Sequence, residues 1–362
     1  MSDFGIVRVI WDGRAVVGIS VTSTRPRAYR LLEGRPPDIA VQIVPLLYNL
    51  CGKAQQGAAL TAVNAAQGLP GNPLHGVRIA CEAMQEHLRH LLLDWPDLLG
   101  LPQNQAQFVH WHGVFNSIAA DQAGDSDLLA DLPQLLLGMT SAAWQHVDTY
   151  AKLIEWMNRK QGLLASVAAA LDFRERQLVF GGERALTALL PGLSAAHAGQ
   201  CYAGQMDHAF AGLPQHDGHP METGTLALLV QAPLLQDILR QRTTRLLARL
   251  IARLADLLDS AAALAKGDSG RRIGGVAMGE NAGLSVVQTA RGMLLHYVRI
   301  DRNQVAKYLV VAPTEWNFHP QGALSGLIGF QESCKSRLIE AVKLFVLSLD
   351  PCVGYQIEVI HA

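Results

Sequence analysis

The chain is poor in cysteine, in charge and in long apolar runs, and each shortage removes a class of function. Five cysteines spread unevenly over 362 residues make no disulfide framework, so reduced thiols are expected. Charged residues are 17 % of the chain and balance to a formal net charge of −1. No basic excess points to nucleic acid, and no acidic tail points to a charged binding arm. The longest charge-poor run, Ala185 to Met206, is interrupted by Pro191, by glycines and by His197, so no membrane span is expected. The opening Met1-Ser2-Asp3-Phe4-Gly5 lacks a basic segment followed by an apolar one. Neither a secretory nor a twin-arginine signal is read there, and a cytoplasmic location is expected. There is no Gly-x-Ser-x-Gly, Walker loop or Rossmann fingerprint.

What the chain does have is apolar residues, 49 % of it, enough for a substantial core. Residues 6–11 and 15–21 are β-like around Asp12-Gly13-Arg14, a hairpin signal. From Pro37 onward the apolar spacing is helical, over 46–67, 76–93, 128–137, 141–157 and 225–264, with Pro233 breaking or kinking the last. Gly68, Pro70, Gly71 and Pro73 punctuate the gap between the first two. Strand character returns at 283–287, 292–300 and 308–312, with a turn beginning Asp301-Arg302-Asn303, and a last helix over about 332–349 leads into Asp350-Pro351-Cys352. The basic run Arg240, Arg242, Arg245, Arg249 and Arg253 reads as the solvated face of an amphipathic helix. No repeat or linker divides the chain. The expectation is one domain over residues 1–362, of α+β class and mainly α, with a long-helix body and small β-sheets near both termini.

Cys51, in Leu50-Cys51-Gly52-Lys53-Ala54, and Cys352, in Asp350-Pro351-Cys352-Val353-Gly354-Tyr355, are the candidate ligands. Thiolates are soft ligands for iron, nickel and copper, and two so far apart share a metal only where the fold brings them together. A cysteine taken alone is more often a small buried hydrophobe, and Cys81, Cys201 and Cys334 read so. His110-Trp111-His112 would place two imidazoles on one side of a strand, but without a third ligand they read as structural or surface residues. Asp207-His208 has no nucleophile motif beside it and reads as a surface loop.

The settings of Cys51 and Cys352 resemble the two ends of a nickel–iron hydrogenase large subunit. In that family each end supplies a Cys-x-x-Cys pair, and here the second cysteine of each pair is replaced, by Ala54 and Tyr355. The family's following histidines fall on Ala58 and Glu358. Glu33-Gly34-Arg35-Pro36-Pro37-Asp38 resembles the Gly-Arg-Asp-Pro that precedes the first motif. His87 and His90 before Trp95-Pro96-Asp97 resemble its His-x-x-His helix. Thr289-Ala290-Arg291-Gly292 with His296 resembles Ala-Pro-Arg-Gly with its downstream histidine, and Ala312-Pro313-Thr314-Glu315-Trp316-Asn317 resembles Val-Pro-Ser/Thr-Thr-Trp-Asn. The matches keep the family's order and are weakest over about 160–270.

The resemblance implies a large-subunit-like fold and a pocket for an iron carrying two cyanides and one carbon monoxide. Arg291 and Thr314, with Pro313, are implied as cofactor-binding residues that face the cyanides, and Cys51 and Cys352 as metal ligands. Buried cyanide nitrogen is an anionic acceptor that needs charge-assisted donors. The lost cysteines imply that no nickel is held, and the family's proton-relay segment Arg-Ile-Glu-Gly-His has no match before Val7. The chain closes at His361-Ala362, so no removable extension is expected. This pattern is similar to the accessory proteins called HupK or HoxV. It implies a non-catalytic scaffold that holds an Fe(CN)2CO unit transiently, receives it from HypC/HypD-type donors and passes it to a hydrogenase large subunit. Two other readings stay open: a docking or structural subunit without metal, and an active thiolate-iron enzyme.

Overall fold

Asp12 makes the first turn. Its carboxylate accepts hydrogen bonds from the amides of Arg14 and Ala15 at 2.8 and 2.7 Å, and Gly13 takes φ +89°. The strands Gly5–Trp11 and Val16–Ser23 therefore pair antiparallel, as the Asp-Gly signal predicts. The far end of the chain completes this sheet, because Tyr355–His361 runs parallel to Gly5–Trp11 with Tyr355 opposite Gly5. A computed structural model describes residues 5–23, 26–71, 74–120, 126–182, 186–268 and 272–362; Met1–Phe4, Pro73 and Ala185, singled out above, lie outside these.

The second large sheet is an antiparallel meander of Ile273–Ala277, Ala282–Thr289, Gly292–Asp301 and Gln304–Val311. Arg302 and Asn303, at φ 46° and 60°, form the two-residue loop of its last hairpin, a geometry that matches strand twist. The strand Ile273–Ala277 is not readable in the sequence, since Gly274 and Gly275 interrupt its alternation. Helix Gly52–Ala66 lies on this sheet through Ala54, Ala58, Ala59 and Ala62. The approach is close enough that a Cβ on Gly283 would lie 2.2 Å from the Ala62 carbonyl oxygen. Gly283→Ala is therefore expected to cost about 1–3 kcal/mol by overpacking, read as a lower denaturant midpoint at unchanged slope.

Helix breaks differ from the periodicity in an instructive way. The helix expected over 46–67 is two, Pro37–Leu47 and Gly52–Ala66, separated by Tyr48 and a 3-10 turn Asn49–Cys51. The cap comes from another helix: the Glu82 carboxylate accepts from the amides of Lys53 and Ala54 at 2.8 and 2.9 Å. The segment 225–264 is three helices, Thr225–Leu229, Pro233–Gln241 and Leu246–Ala265. Pro233 opens the second, as expected. Glu175 caps the third, accepting from the amides of Leu246 and Leu247 at 3.1 and 3.0 Å and from the Thr244 hydroxyl. The segment 141–157 also splits, into Ser141–Trp144 and Tyr150–Arg159, because the hydroxyls of Thr140 and Thr149 each start a helix.

Two expectations are corrected. The basic run is not a solvated face. Arg240 is exposed, but Arg242 reaches Asp172 at 2.7 Å, Arg245 and Arg249 share the buried Glu222 at 2.7 and 2.8 Å, and Arg253 lies 3.1 Å from Asp350. Helix Leu246–Ala265 is buried on most of its circumference, so cations on it need internal partners. His110 and His112 lie in helix Gln105–Ala119 and not in a strand, so two residues apart they face different directions. Asp207 is exposed in a surface loop, as expected, and caps helix His208–Gly212 by accepting from the amides of Ala209 and Phe210.

Two buried apolar clusters result, one around Leu246–Ala265 and one around Gly52–Ala66 and the meander. Helix Leu74–Arg89 serves both, with Ile79 in one and Met84 and Leu88 in the other, and the charged site described next lies along it.

Candidate functional site

The break before Gly52 sets Cys51 at a helix N-terminus, and the end of helix Lys335–Leu349 sets Cys352 two residues beyond Asp350. Asp350 turns the chain in the left-handed region, φ 50° and ψ 71°, which Asp tolerates better than most side chains. Its buried carboxylate faces three guanidiniums, Arg253 at 3.1 Å, Arg291 Nε at 3.4 Å and Arg89 at 4.0 Å, with the His90 ring also at 4.0 Å. Burial opposes its charge, but Arg291, His90, Arg253 and Arg89 together hold the carboxyl well below the usual range.

Cys352 is buried, and the Thr314 hydroxyl donates to its sulfur at 3.0 Å. Pro313, buried at the first position of helix Pro313–Asn317, places that threonine. Cys51 is partly buried and accepts from the Gln55 side-chain amide at 3.5 Å. Burial pushes its thiol up to about 12, reinforced by the neighbouring Cys352 and Glu82 and opposed by Arg291 and Gln55. The two cysteines, some three hundred residues apart in sequence, are thus neighbours in the fold. None of the five cysteines forms a disulfide.

Arg291 lies in the turn between two meander strands and is buried, with Nη2 donating to Glu86 at 2.6 Å. Its Nε is also buried and has no hydrogen-bond partner, although Asp350 is near. Burial works against the guanidinium charge, but Asp350, Glu86, Cys352 and Cys51 hold it above the ordinary range. A small cavity beside Cys51 is lined by Ala54, Glu82, Glu86 and Arg291. Burial pushes Glu82 up to about 7, against its two amide donors. His87 pairs with Asp256 at 2.7 Å and is pushed down by burial to about 4, and His90 opens the π-helical turn His90–Asp94.

The structure therefore brings Cys51, Cys352, Arg291, Pro313 and Thr314 into one site. Among the described residues no group of three or more His, Cys, Asp or Glu converges as a metal site. Of the replaced positions, Ala54 is packed under the meander, Tyr355 is paired opposite Gly5, and Glu358 is ion-paired to Arg8 at 2.7 Å. Sequence reasoning missed Gln55, Glu82, Glu86 and the charge role of Asp350. Glu82, Glu86 and His90 recur every four residues on one helix, a polar stripe that could have marked a buried face.

Residues 237–357 match the nickel-dependent hydrogenase family. The chain is 29 % identical to the hydrogenase expression/formation protein HoxV of Cupriavidus necator, over 93 % of this chain and 92 % of that one. It is 30 % identical to the hydrogenase expression/formation protein HupK of Rhizobium leguminosarum bv. viciae, over 95 % and 93 %. In three dimensions it is similar to the Ni-Fe-Se hydrogenase of D. vulgaris Hildenborough, with TM-score 0.57 and 17 % identity over 97 % of this chain and 98 % of that one. The Ni-Fe-Se hydrogenase of Desulfomicrobium baculatum gives TM-score 0.57 and 16 % identity over 97 % and 99 %. The large-subunit-like fold implied by the motifs is the fold the chain adopts.

Proposed function

The chain belongs to the HupK and HoxV family of hydrogenase expression/formation proteins, and from that premise we propose that it serves hydrogenase maturation as a non-catalytic carrier. Its cargo is an Fe(CN)2CO unit, taken from a HypC/HypD-type donor in the cytoplasm and passed to a hydrogenase large subunit. The observation that carries this reading is the meeting of Cys51 and Cys352 beside Arg291 and Thr314.

The donor set suits that cargo. Two thiolates are soft ligands for iron. An iron(II) unit with two cyanides and two thiolates is net negative, and buried it needs a cation and hydrogen-bond donors. Arg291 supplies the charge and a buried Nε that makes no hydrogen bond, although it is ion-paired to Asp350. The Thr314 hydroxyl, which donates to the Cys352 sulfur, would be a second donor in the site. With Ala54 and Tyr355 in place of the second cysteines, the grip is two-pronged, which favours release. Loading requires Cys51 to give up its proton, since its thiol is held near 12.

The test is an infrared spectrum of the protein purified after co-expression with the maturation machinery. Cyanide and carbonyl stretches are expected in the parent protein and lost in Cys51→Ala and Cys352→Ala. Their absence from a folded parent protein, with maturation intact, would replace the carrier by a docking subunit.

A further inference from the structure

Helix Pro37–Leu47 is apolar on more than the side it buries. Of its eleven residues only Asp38 is charged, and only Gln42 is otherwise polar. Ala40 and Val44 are fully buried in the cluster around Gly52–Ala66. Ile39 and Leu46, two helical turns apart, share another side of the helix and are 36 % and 79 % exposed. Two leucines beside the helix are also open. Leu50, the residue before Cys51, is 50 % exposed, and Leu31, in the 3-10 turn Ala28–Leu32 that packs on this helix, is 61 % exposed. A helix keeps such residues for a covered face, and a group of exposed ones marks a contact surface.

The place of this face in the fold gives it a purpose. The helix ends at the break that carries Cys51: a Cβ on Gly52 would lie 3.6 Å from Pro45 Cβ, so the helix end abuts the turn of the cysteine itself. Cys51 is partly exposed, whereas Cys352 is buried and held by Thr314. An iron unit arriving from outside meets Cys51 first, so delivery takes place on the surface that borders Cys51. The rim of the face selects the partner. Arg30, Arg35 and Lys53 are exposed there and have no ion-pair partner among the described residues. The acids nearby are Asp38 and the half-buried Glu33, whose carboxylate accepts from the Tyr308 amide at 3.3 Å. An apolar centre with a mainly positive rim fits a partner of the opposite charge pattern.

We propose that Leu31, Ile39, Leu46 and Leu50 form the docking face for the protein that delivers the iron unit, which meets them with an apolar surface edged by carboxylates. The purpose of the face rests on the carrier reading, but docking itself is measured without iron. The full chain is titrated with a purified HypC/HypD-type donor from the same organism, both free of iron, and affinity is followed by calorimetry. Leu46→Asp and Leu50→Asp are each expected to weaken donor binding about tenfold or more, as loss of a central apolar anchor does. The double variant Arg30→Glu, Lys53→Glu is expected to weaken it severalfold at low salt and little at high salt, since the rim acts through screened charge. Phe173→Asp, at a residue 55 % exposed on helix Ala165–Arg176 of the other cluster, is expected to change nothing.

Leu46 and Leu50 are open to water, so their variants should keep the unfolding midpoint of the parent, and the rim variant carries the test if either fails to fold. A donor that binds Leu46→Asp as tightly as the parent, or does not bind the parent at all, overturns the proposal. A parent that is a dimer in solution and a monomer in Leu46→Asp also overturns it, since a second copy then covers the face. Loss of large-subunit binding in Leu46→Asp with donor binding kept overturns it in favour of the acceptor. Cyanide and carbonyl bands in a parent whose donor binding ignores Leu46 would remove the docking face and leave the carrier reading standing. A folded parent without those bands, whose donor binding still depends on Leu46, would do the reverse.

Discussion

Asp350→Ala is expected to destabilise the fold by about 3–5 kcal/mol, the largest effect of any single substitution at the site. The aspartate is 4 % exposed and faces Arg253 and Arg291, themselves 5 % and 6 % exposed. Removing it leaves two buried guanidiniums near one another, with Glu86 holding only Arg291. Desolvation of unpaired charge, rather than loss of attraction, sets the cost. The substitution also places Ala at φ 50°, so a control is needed. Asp350→Asn tolerates the left-handed conformation and removes only the charge. Denaturant unfolding of both variants separates the two contributions. A cost below about 1 kcal/mol for Asp350→Asn would mean that the guanidiniums around it do not hold the Cys352 loop.

The second large effect is on acid stability. His87 and His296 are held at about 4 and about 3, below the ordinary 6.5, so as pH falls through 6.5 the unfolded chain takes protons that the fold refuses, and stability is lost. Glu82 and Glu175 are held at about 7, above the ordinary 4.5, so they stabilise the fold below 4.5 and lose that contribution as pH rises through 7. Between pH 4.5 and 6.5 these two pairs oppose, each group worth about 1.4 kcal/mol per pH unit, so what remains, as pH falls, is a shallow loss from His75, His90 and His319, which burial also holds low. Below 4.5 the glutamates add nothing. His296 and the low-held Asp256 and Asp350 then all favour the unfolded chain, so stability should fall by about 3 kcal/mol per unit near pH 3.5. Urea midpoints across this range test it. A decline already as steep between pH 6.5 and 4.5 as below it would mean that Glu82 and Glu175 are ionised in the fold, as their backbone amide donors favour.

Much of the site was legible because its signals are local. Asp350-Pro351-Cys352, Leu50-Cys51-Gly52 and Ala312-Pro313-Thr314 each stand within a few residues, and all three meet in the fold. Arg291 was legible as a site residue, but its partners were not, since Glu86 and Asp350 come from a helix and a helix end far away in sequence. Gln55 carried no signal at all, because an amide four residues from a cysteine is ordinary until the fold sets His296 against it.

By itself the sequence determined the long helical segments, three of the four meander strands, the hairpins at Asp12-Gly13 and Asp301-Arg302-Asn303 and the pair of cysteines worth following. These depend on backbone preferences and spacing, which act over a few residues. Only the tertiary structure decided where the helices at Gly52 and Leu246 begin, because their caps are the carboxylates of Glu82 and Glu175 from other helices. It also decided that Arg245, Arg249 and Arg253 face inward, and that Gln55 lies between Cys51 and His296. A hydrogen-bond or ion-pair partner drawn from a distant segment leaves no periodic trace beside the residue it serves, and becomes visible only when the chain has closed on itself.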